Sequence, residues 1–430
     1  MGYNFFKIVE VPEVFNHKLN EFRASLSAAI SEGKDITFAD NDITYALKLQ
    51  HDRLAEKRLR LDYDVYSRGD DGRSGKFHAG SNWKDAHYES TVCFSPFSVK
   101  RKVNRDGRIC FKDDHKCVLY ETMTDVVTGA HPDNDPFCCP GCGALSTVAG
   151  LQNGCEYCGT KFQMDDLFPK VTGYYFLEEP GMTKGEFKSG YIKFYIATLI
   201  GMYLLGCILN GAVFLPQNLA KSIPTLIGML IGLPLASLIM GYILYAYFLF
   251  MRLIVKAIAS AGKMGTAGSR SSFETRMKKV SPEFSYEYFT SKAISLIKTA
   301  VFSGDERDLL FYDGGALDPK MKDIIDLNYG GALGCMGFQD EGNFVTVVTK
   351  AYFDVLYANE KGIQAKSQVF RATFKRHTDI PVNLNFSMTR IECPSCGASF
   401  DATKNKNCPY CGNRYEITTD DWALTELKYN

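Results

Sequence analysis

The sequence predicts an α+β protein interrupted by a two-helix transmembrane hairpin and carrying two zinc ribbons. Three observations lead there. Two clusters of four cysteines stand far apart in the chain. Two long uncharged apolar stretches lie between them. Helical spacing gives way to strand-like spacing both before and after the apolar stretches.

The first cluster is Cys139-Pro-Gly-Cys142 with Cys155-Glu-Tyr-Cys158, and the second is Cys393-Pro-Ser-Cys396 with Cys408-Pro-Tyr-Cys411. A CxxC pair, a spacer and a second CxxC suit a closed tetrahedral thiolate site for a structural Zn2+ ion. Gly143, Gly159, Gly397 and Gly412 follow the second cysteine of each pair. Glycine there lets the backbone take positive φ and turn amide N–H groups toward the thiolates. Redox CxxC pairs and disulfides are the competing reading. A redox pair follows a strand in a βαβ unit and does not come as two coupled knuckles. Cys138 adjoins Cys139 and could replace it, but Cys139 gives the two-residue gap. The expected ligands are thus Cys139, Cys142, Cys155 and Cys158 for one ion, and Cys393, Cys396, Cys408 and Cys411 for the other.

The 430 residues suffice for two or three domains, and 49 Lys+Arg balance 49 Asp+Glu. That neutrality argues against a general nucleic-acid binder, which carries a basic excess. The remaining cysteines, Cys93, Cys110, Cys117, Cys138, Cys207 and Cys335, are scattered and do not form a disulfide framework. Zinc-bound and free thiols together favour a reducing compartment. The first residues, Met1 to Lys7, lack a secretory signal pattern.

No charge falls between Lys193 and Lys221, or between Lys221 and Arg252. A helix over Phe194 to Leu215 reaches about 33 Å, enough for a hydrocarbon core of about 30 Å. A second helix is expected near Thr225 to Met251, with Pro216 to Pro224 as the connection. Lys184, Lys188 and Lys193 precede the hairpin; Arg252, Lys256, Lys263 and Arg270 follow it. The positive-inside rule then places both termini in the cytoplasm of a multi-pass plasma (inner) membrane protein. Gly228 and Gly232 form a GxxxG at which the hairpin helices can close on each other, or on a second copy in a homo-oligomer, although the pattern is equally expected by chance in apolar sequence. Asn210 is the strongly polar residue deep in the spans, and they hold no acid, base or histidine for an ion relay.

Before the hairpin, Val14 to Ile30 and Asp42 to Leu61 have helical periodicity. Strand-like runs follow at Ser90 to Phe94, Ile109 to Phe111, Cys117 to Tyr120 and, past the first ribbon, Val171 to Phe176. Turn signals are Gly69 to Gly72 and Asn104 to Gly107. Asp113, Asp114, His115 and Cys117 admit a further metal site, though charges beside a hairpin explain them as well.

After the hairpin, Gly262 to Ser272 reads as a Gly/Ser/Lys linker. Ser281 is the expected N-cap and Pro282 the first helical residue of a helix whose apolar face is Phe289, Ala293, Leu296, Ile297, Ala300 and Val301. Strands are expected at Phe344 to Val348, Ala351 to Tyr357, Val369 to Lys375 and Trp422 to Leu427. One long helix and a curved antiparallel sheet make an α+β cone. The expected divisions are an N-terminal region over 1–130, ribbon one with its following strand over 131–176, the hairpin over 191–255, a linker over 256–279 and a final domain over 280–430 with ribbon two at 391–416.

Ser281-Pro-Glu-Phe-Ser285, the long helix into Ala300, Ser303-Gly-Asp305 and Leu309 resemble the C-terminal domain of the import-motor anchor subunit of the mitochondrial inner-membrane translocase. Phe370-Arg371 and Phe374-Lys375-Arg376 loosely match that family's aromatic–x–Arg strands, and Trp422 its closing strand. The resemblance covers Val280 to Leu427. It implies a nuclear-transport-factor-like cone and a role in transport. Ribbon two departs from the family pattern and puts any inherited ligand site in doubt. Bacterial membrane proteins combining zinc ribbons with this domain are similar along the whole chain.

Cys158-Gly-Thr-Lys-Phe162 leads to Tyr174, and Cys411-Gly-Asn-Arg-Tyr415 leads to Trp422. The parallel admits an internal duplication; separate acquisition of two common ribbons is the reading favoured by sequence alone. The histidines, His17, His51, His78, His87, His115, His131 and His377, are isolated, and no HExxH, GxSxG, GxGxxG or P-loop occurs. The expected function is a non-enzymatic, membrane-anchored adaptor that binds a protein partner or lipid at the cytoplasmic face. Arg276, Lys278 and Lys279 are placed to meet anionic headgroups. The alternatives are a cone-fold enzyme or carrier, for which Asp354 is a candidate carboxylate, and a nucleic-acid-binding ribbon protein using Lys404, Lys406 and Arg414.

Overall fold

The structure, a computed structural model, describes residues 9–10, 12–67, 78–178, 184–209, 227–303 and 309–429. The chain divides into two units: Met1–Glu179 with Lys263–Asn430, and Pro180–Gly262. The larger unit is α+β.

Its N-terminal half opens with β1 (Val9–Glu10), α1 (Glu13–Glu32) and α2 (Asn41–Glu56). Phe15, Leu19, Phe22, Leu26 and Ile30 are all buried, as the periodicity of α1 requires. Helix α2 is shorter than the sequence pattern. Arg58 takes positive φ and the Leu59 amide returns to the Leu54 carbonyl, so the chain turns into a strand before Leu61. That strand is β2 (Arg60–Ser67), followed by β3 (His78–Lys84), β4 (Tyr88–Arg105) and β5 (Arg108–Val126). Asp106 and Gly107, with φ of 50° and 77°, make the two-residue turn between β4 and β5. The expected turn at Gly69–Gly72 lies outside the described residues.

Ribbon one comes next: β6 (Pro136–Cys138), β7 (Leu145–Thr147), α3 (Val148–Asn153) and α4 (Met164–Leu167). β8 (Lys170–Glu178) then closes the sheet against β5, in the order β1-β3-β4-β5-β8 with β2 also on β4.

α5 (Lys184–Leu209) and a π-helical turn (Gly228–Gly232) lie in the second unit, as does α6 (Leu233–Val280) as far as Gly262, and they contain two segments long and apolar enough to cross a membrane, Phe187–Ile208 and Leu230–Arg252. The first begins earlier than the uncharged stretch because Lys188 and Lys193 lie at its end, where long cationic side chains can reach an interface. Asn210, Lys221 and the connection lie outside the described residues. Of the GxxxG pair, Gly232 is not at the contact within the hairpin: a Cβ there meets nothing within 4 Å. The helices instead close where a Cβ on Gly241 would stand 3.1 Å from Tyr195 Cα, and where Gly190 lies under Tyr245. Thr198 donates to the Ser237 carbonyl at 3.3 Å beside these glycines.

The stretch 256–279, expected as a linker, is helical as part of α6. Its glycines are few enough for the helix to continue. Arg270–Glu274 and Lys278–Glu274 pair at four-residue spacing, and Phe273 and Met277 are buried in the core of the larger unit. Ser281 does not cap the next helix; its amide bonds to the Met277 carbonyl and finishes α6. The cap is Ser285, which accepts from the Tyr288 amide, and α7 runs Tyr286–Phe302. Its predicted apolar face is buried throughout.

β9 (Ile324–Asp340), β10 (Phe344–Asn359), β11 (Gly362–His377) and β14 (Ala423–Tyr429) form a four-stranded antiparallel sheet in the order β14-β11-β10-β9. β10 joins the two short strands expected at 344–348 and 351–357. Between β11 and β14 lies ribbon two, with β12 (Arg390–Glu392) and β13 (Ser399–Asp401). Each half of the unit thus repeats one order: helix, long antiparallel strands, ribbon, closing strand. That shared order spans the sheets as well as the ribbons.

The halves pack on each other through α2 against α7 and β8 against β9. Ile325, Leu356 and Ala358 of the second half belong to the core of the first. Gly331, at φ of 79°, permits the strand contact, because a Cβ there would fall 2.3 Å from Leu177 Cδ1.

Candidate metal centres

The four cysteine pairs sit in four copies of one turn. The glycine after each pair has φ of 73°, 73°, 71° and 76° at Gly143, Gly159, Gly397 and Gly412. Its amide donates to the carbonyl of the first cysteine at 2.8, 2.7, 2.8 and 2.8 Å respectively. The amide of the first cysteine in turn donates to the carbonyl beyond that glycine: Ala144, Thr160, Ala398 and Asn413. This doubly bonded turn is what positive φ was expected to allow. Amide N–H groups of Gly141 and Cys142 reach the Cys139 sulfur, and those of Ser395 and Cys396 reach Cys393.

The turns face each other in pairs. Cys139, Cys142, Cys155 and Cys158 bring their sulfurs within 4.8 Å of one another, and so do Cys393, Cys396, Cys408 and Cys411. Across the pairs, Cys139–Cys158 and Cys142–Cys155 are both 3.7 Å, and Cys393–Cys411 and Cys396–Cys408 are 3.6 and 3.7 Å. Disulfide sulfurs would be about 2.05 Å apart. A tetrahedral ion held by four thiolates at about 2.3 Å spaces its sulfurs about 3.8 Å apart. The donor set and spacing fit one four-coordinate metal ion per cluster. In each cluster two sulfurs face the core (Cys139 and Cys155; Cys393 and Cys408) and two face outward.

The ribbons are built into the unit. Cys139 and Cys155 pack with Tyr88, Phe137, Leu151 and Phe168, and Cys393 and Cys408 with Ile391 and Phe400. Cys138 is buried outside the cluster. Asp113, Asp114, His115 and Cys117 do not form a third centre; Asp114 instead accepts from the Tyr66 hydroxyl at 2.8 Å. Asp113 and His115 belong to an ion-pair group around Arg101, while Cys117 is buried and turns its thiol to the Phe97 carbonyl. Asp354 is half-buried on β10.

Two further features were hidden in the sequence. A cleft of about 520 Å3 separates the ribbons, and β6 and β12, the first strand of each, line it. Asp40 and Lys170 lie in its floor. Lys170 donates to Asn385 Oδ1 at 2.7 Å. Asp40 caps α2 and has its carboxyl raised to about 7 by burial and by the neighbouring Asp42 charge. The other feature is Lys298, lowered to about 8 by burial, which stands 4.8 Å from the Tyr174 ring centre in a space of only about 40 Å3. Nothing in a single sequence links residues so distant; an Asp just before the α2 periodicity was the one local signal pointing to Asp40, and it was missed.

Comparison with known proteins returned no matching family model, no matching curated protein and no matching solved structure.

Proposed function

We propose that this protein is a membrane-anchored zinc-ribbon adaptor whose larger unit lies at the cytoplasmic face and holds a protein partner there. The observation that carries the reading is the pair of closed four-sulfur clusters in a chain with two membrane-length helices. Four thiolates leave no open coordination position, so such an ion holds structure and does not activate water. Zinc is the assignment because tetrahedral S4 sites with knuckle turns suit it, and because thiolate ligation belongs in a reducing compartment. The outward-facing residue before the last cysteine of each ribbon, Tyr157 and Tyr410, is 72% exposed in both cases. Such rigidly mounted aromatics are typical partner anchors.

The α7 helix on the β9–β11 sheet supports the nuclear-transport-factor-like reading of the second half, and with it a transport-associated role. Basic residues on both sides of the hairpin support two cytoplasmic termini.

The test is crosslinking and affinity capture of the detergent-solubilised chain, beside the Cys393→Ser/Cys408→Ser variant, with zinc measured on both. Specific membrane or secretory partners, lost together with one zinc, are the expected outcome. A co-purifying lipid or metabolite with no protein partner overturns the adaptor reading in favour of a carrier or enzyme.

A further inference from the structure

We propose that the cleft between the two ribbons is the docking site, and that its occupant is an extended peptide segment bearing lysine or arginine side chains. This deepens the adaptor reading and rests on it.

The first argument is position. The cleft is walled by β6 and β12, the same strand of each ribbon, immediately before Cys139 and Cys393. Each belongs to a sheet of only two strands; on β6 the outward Pro136 carbonyl is taken by Asn385, whereas β12 keeps its outer edge unpaired among the described residues. On β12 the Cys393 amide bonds to Ala398 and the Ala402 amide to the Thr389 carbonyl. Ile391 between them faces its partner strand, and the backbone groups of Arg390 and Glu392 face the open edge. An extended segment can take up such an edge by main-chain hydrogen bonds.

The second argument is charge. The chain as a whole is neutral, yet besides the largely uncharged Asp40 the cleft is lined by four acids, Asp35, Asp166, Glu392 and Asp420, against two cations, Lys170 and Arg390. Lys170 is committed to Asn385 and to the Phe137 ring, 4.5 Å from its ammonium. Asp35 and Glu392 are exposed at the rim, and neither has an ion-pair partner among the described residues. The half-buried Phe38 and Phe386 offer apolar surface for the aliphatic stems of basic side chains.

The third argument is preorganisation. The segment leading into ribbon two crosses the cleft and is tied down at several points. Leu384 donates its amide to Asp85, Met388 its amide to Asp42, and Asn385 its side-chain amide to the Pro136 carbonyl. A cleft of about 520 Å3 held open in this way lies within the range of preformed ligand sites. Because a strand of each ribbon contributes to the lining, beside the 35–41 and 383–387 segments, occupancy depends on metal at both clusters.

The test uses the full chain in detergent micelles. Binding of a fluorescein-labelled octapeptide of alternating lysine and valine is followed by anisotropy, beside the glutamate–valine counterpart. The Asp35→Asn/Glu392→Gln variant changes only exposed rim groups, and its metal content and melting temperature confirm that it folds. The lysine peptide is expected to bind and the glutamate peptide not to. The rim variant should weaken binding about tenfold, and raised salt should weaken it for the native chain. Tighter binding of the glutamate peptide, binding unchanged in the rim variant, or no binding of the lysine peptide each overturns the proposal. If partner capture persists while the lysine peptide fails, only the assigned occupant falls; if capture itself fails, the adaptor reading falls independently.

Discussion

Arg101 on β4 places Nη1 3.1 Å from Asp326 Oδ2 on β9, so one guanidinium joins the sheets of the two halves. The same group holds Asp113 at 2.6 Å, and Tyr63 donates its hydroxyl to Asp326. Both Arg101 and Asp326 side chains are 6% exposed. Removing one partner of such a pair strands a buried charge. Arg101→Met should therefore lower stability by about 3–5 kcal/mol, read as a fall in denaturation midpoint, with Arg101→Lys milder. A midpoint within experimental error of the native chain would show that the pair does not hold the halves together.

Metal content separates the clusters. The native chain should carry two ions. Cys139→Ser/Cys155→Ser and Cys393→Ser/Cys408→Ser should each carry one, measured by elemental analysis of the purified protein. Because the inner cysteines of both clusters are part of the cores, chelation should also lower the melting temperature. An unchanged melting point after complete metal removal would contradict that coupling.

Asp40 predicts a pH dependence. Its carboxyl is raised from 3.8 to about 7, chiefly by burial and then by Asp42, with Lys170 and Lys292 opposing. Between those values the folded chain holds a proton that the unfolded chain has lost, so stability falls as pH rises through that window. Asp40→Asn keeps an oxygen for the Ile43 amide but does not titrate. The drop in melting temperature from about pH 5.5 to 7.5 should be smaller in the variant; an identical drop would remove Asp40 as its source.

Gly331 tests the contact between the halves. Gly331→Ala meets Leu177 and also forces a side chain into positive φ. The expected cost is about 1–3 kcal/mol. Leu177→Ala in the same chain should relieve the steric part and leave the backbone part. A neutral Gly331→Ala would show that β9 shifts freely there.

In the hairpin, Gly241→Leu should abolish crosslinking between Thr198→Cys and Ser237→Cys in membranes, because the new side chain meets the α5 backbone. Gly232→Leu should leave crosslinking intact. The reverse pattern would restore the GxxxG as the contact.

Spacing made the ribbons legible. Cys139 to Cys158 and Cys393 to Cys411 are local, and a closed turn needs only its two cysteines and a glycine at positive φ. The α1 and α7 faces were legible for the same reason, since helical periodicity repeats within a few residues. Harder features had competing local signals. The glycines after Arg252 read as a linker, whereas burial of Phe273 and Met277 and the Glu274 pairs keep that run helical. Pro282 reads as a first helical residue, but Ser281 closes the preceding helix instead. The glycine-rich β9 carried no strand pattern, and its Gly331 is explained only by Leu177 of another sheet.

By itself, then, the sequence determined the two cysteine clusters, the two apolar helices and the α+β character, because each rests on residues close together in the chain. Only the tertiary structure decided that Arg101 meets Asp326, that β6 and β12 face one cleft, and that Asp40 and Lys170 share its floor. Those relationships join residues hundreds of positions apart in several cases, and they arise when packing of α2 on α7 and β8 on β9 buries both halves together.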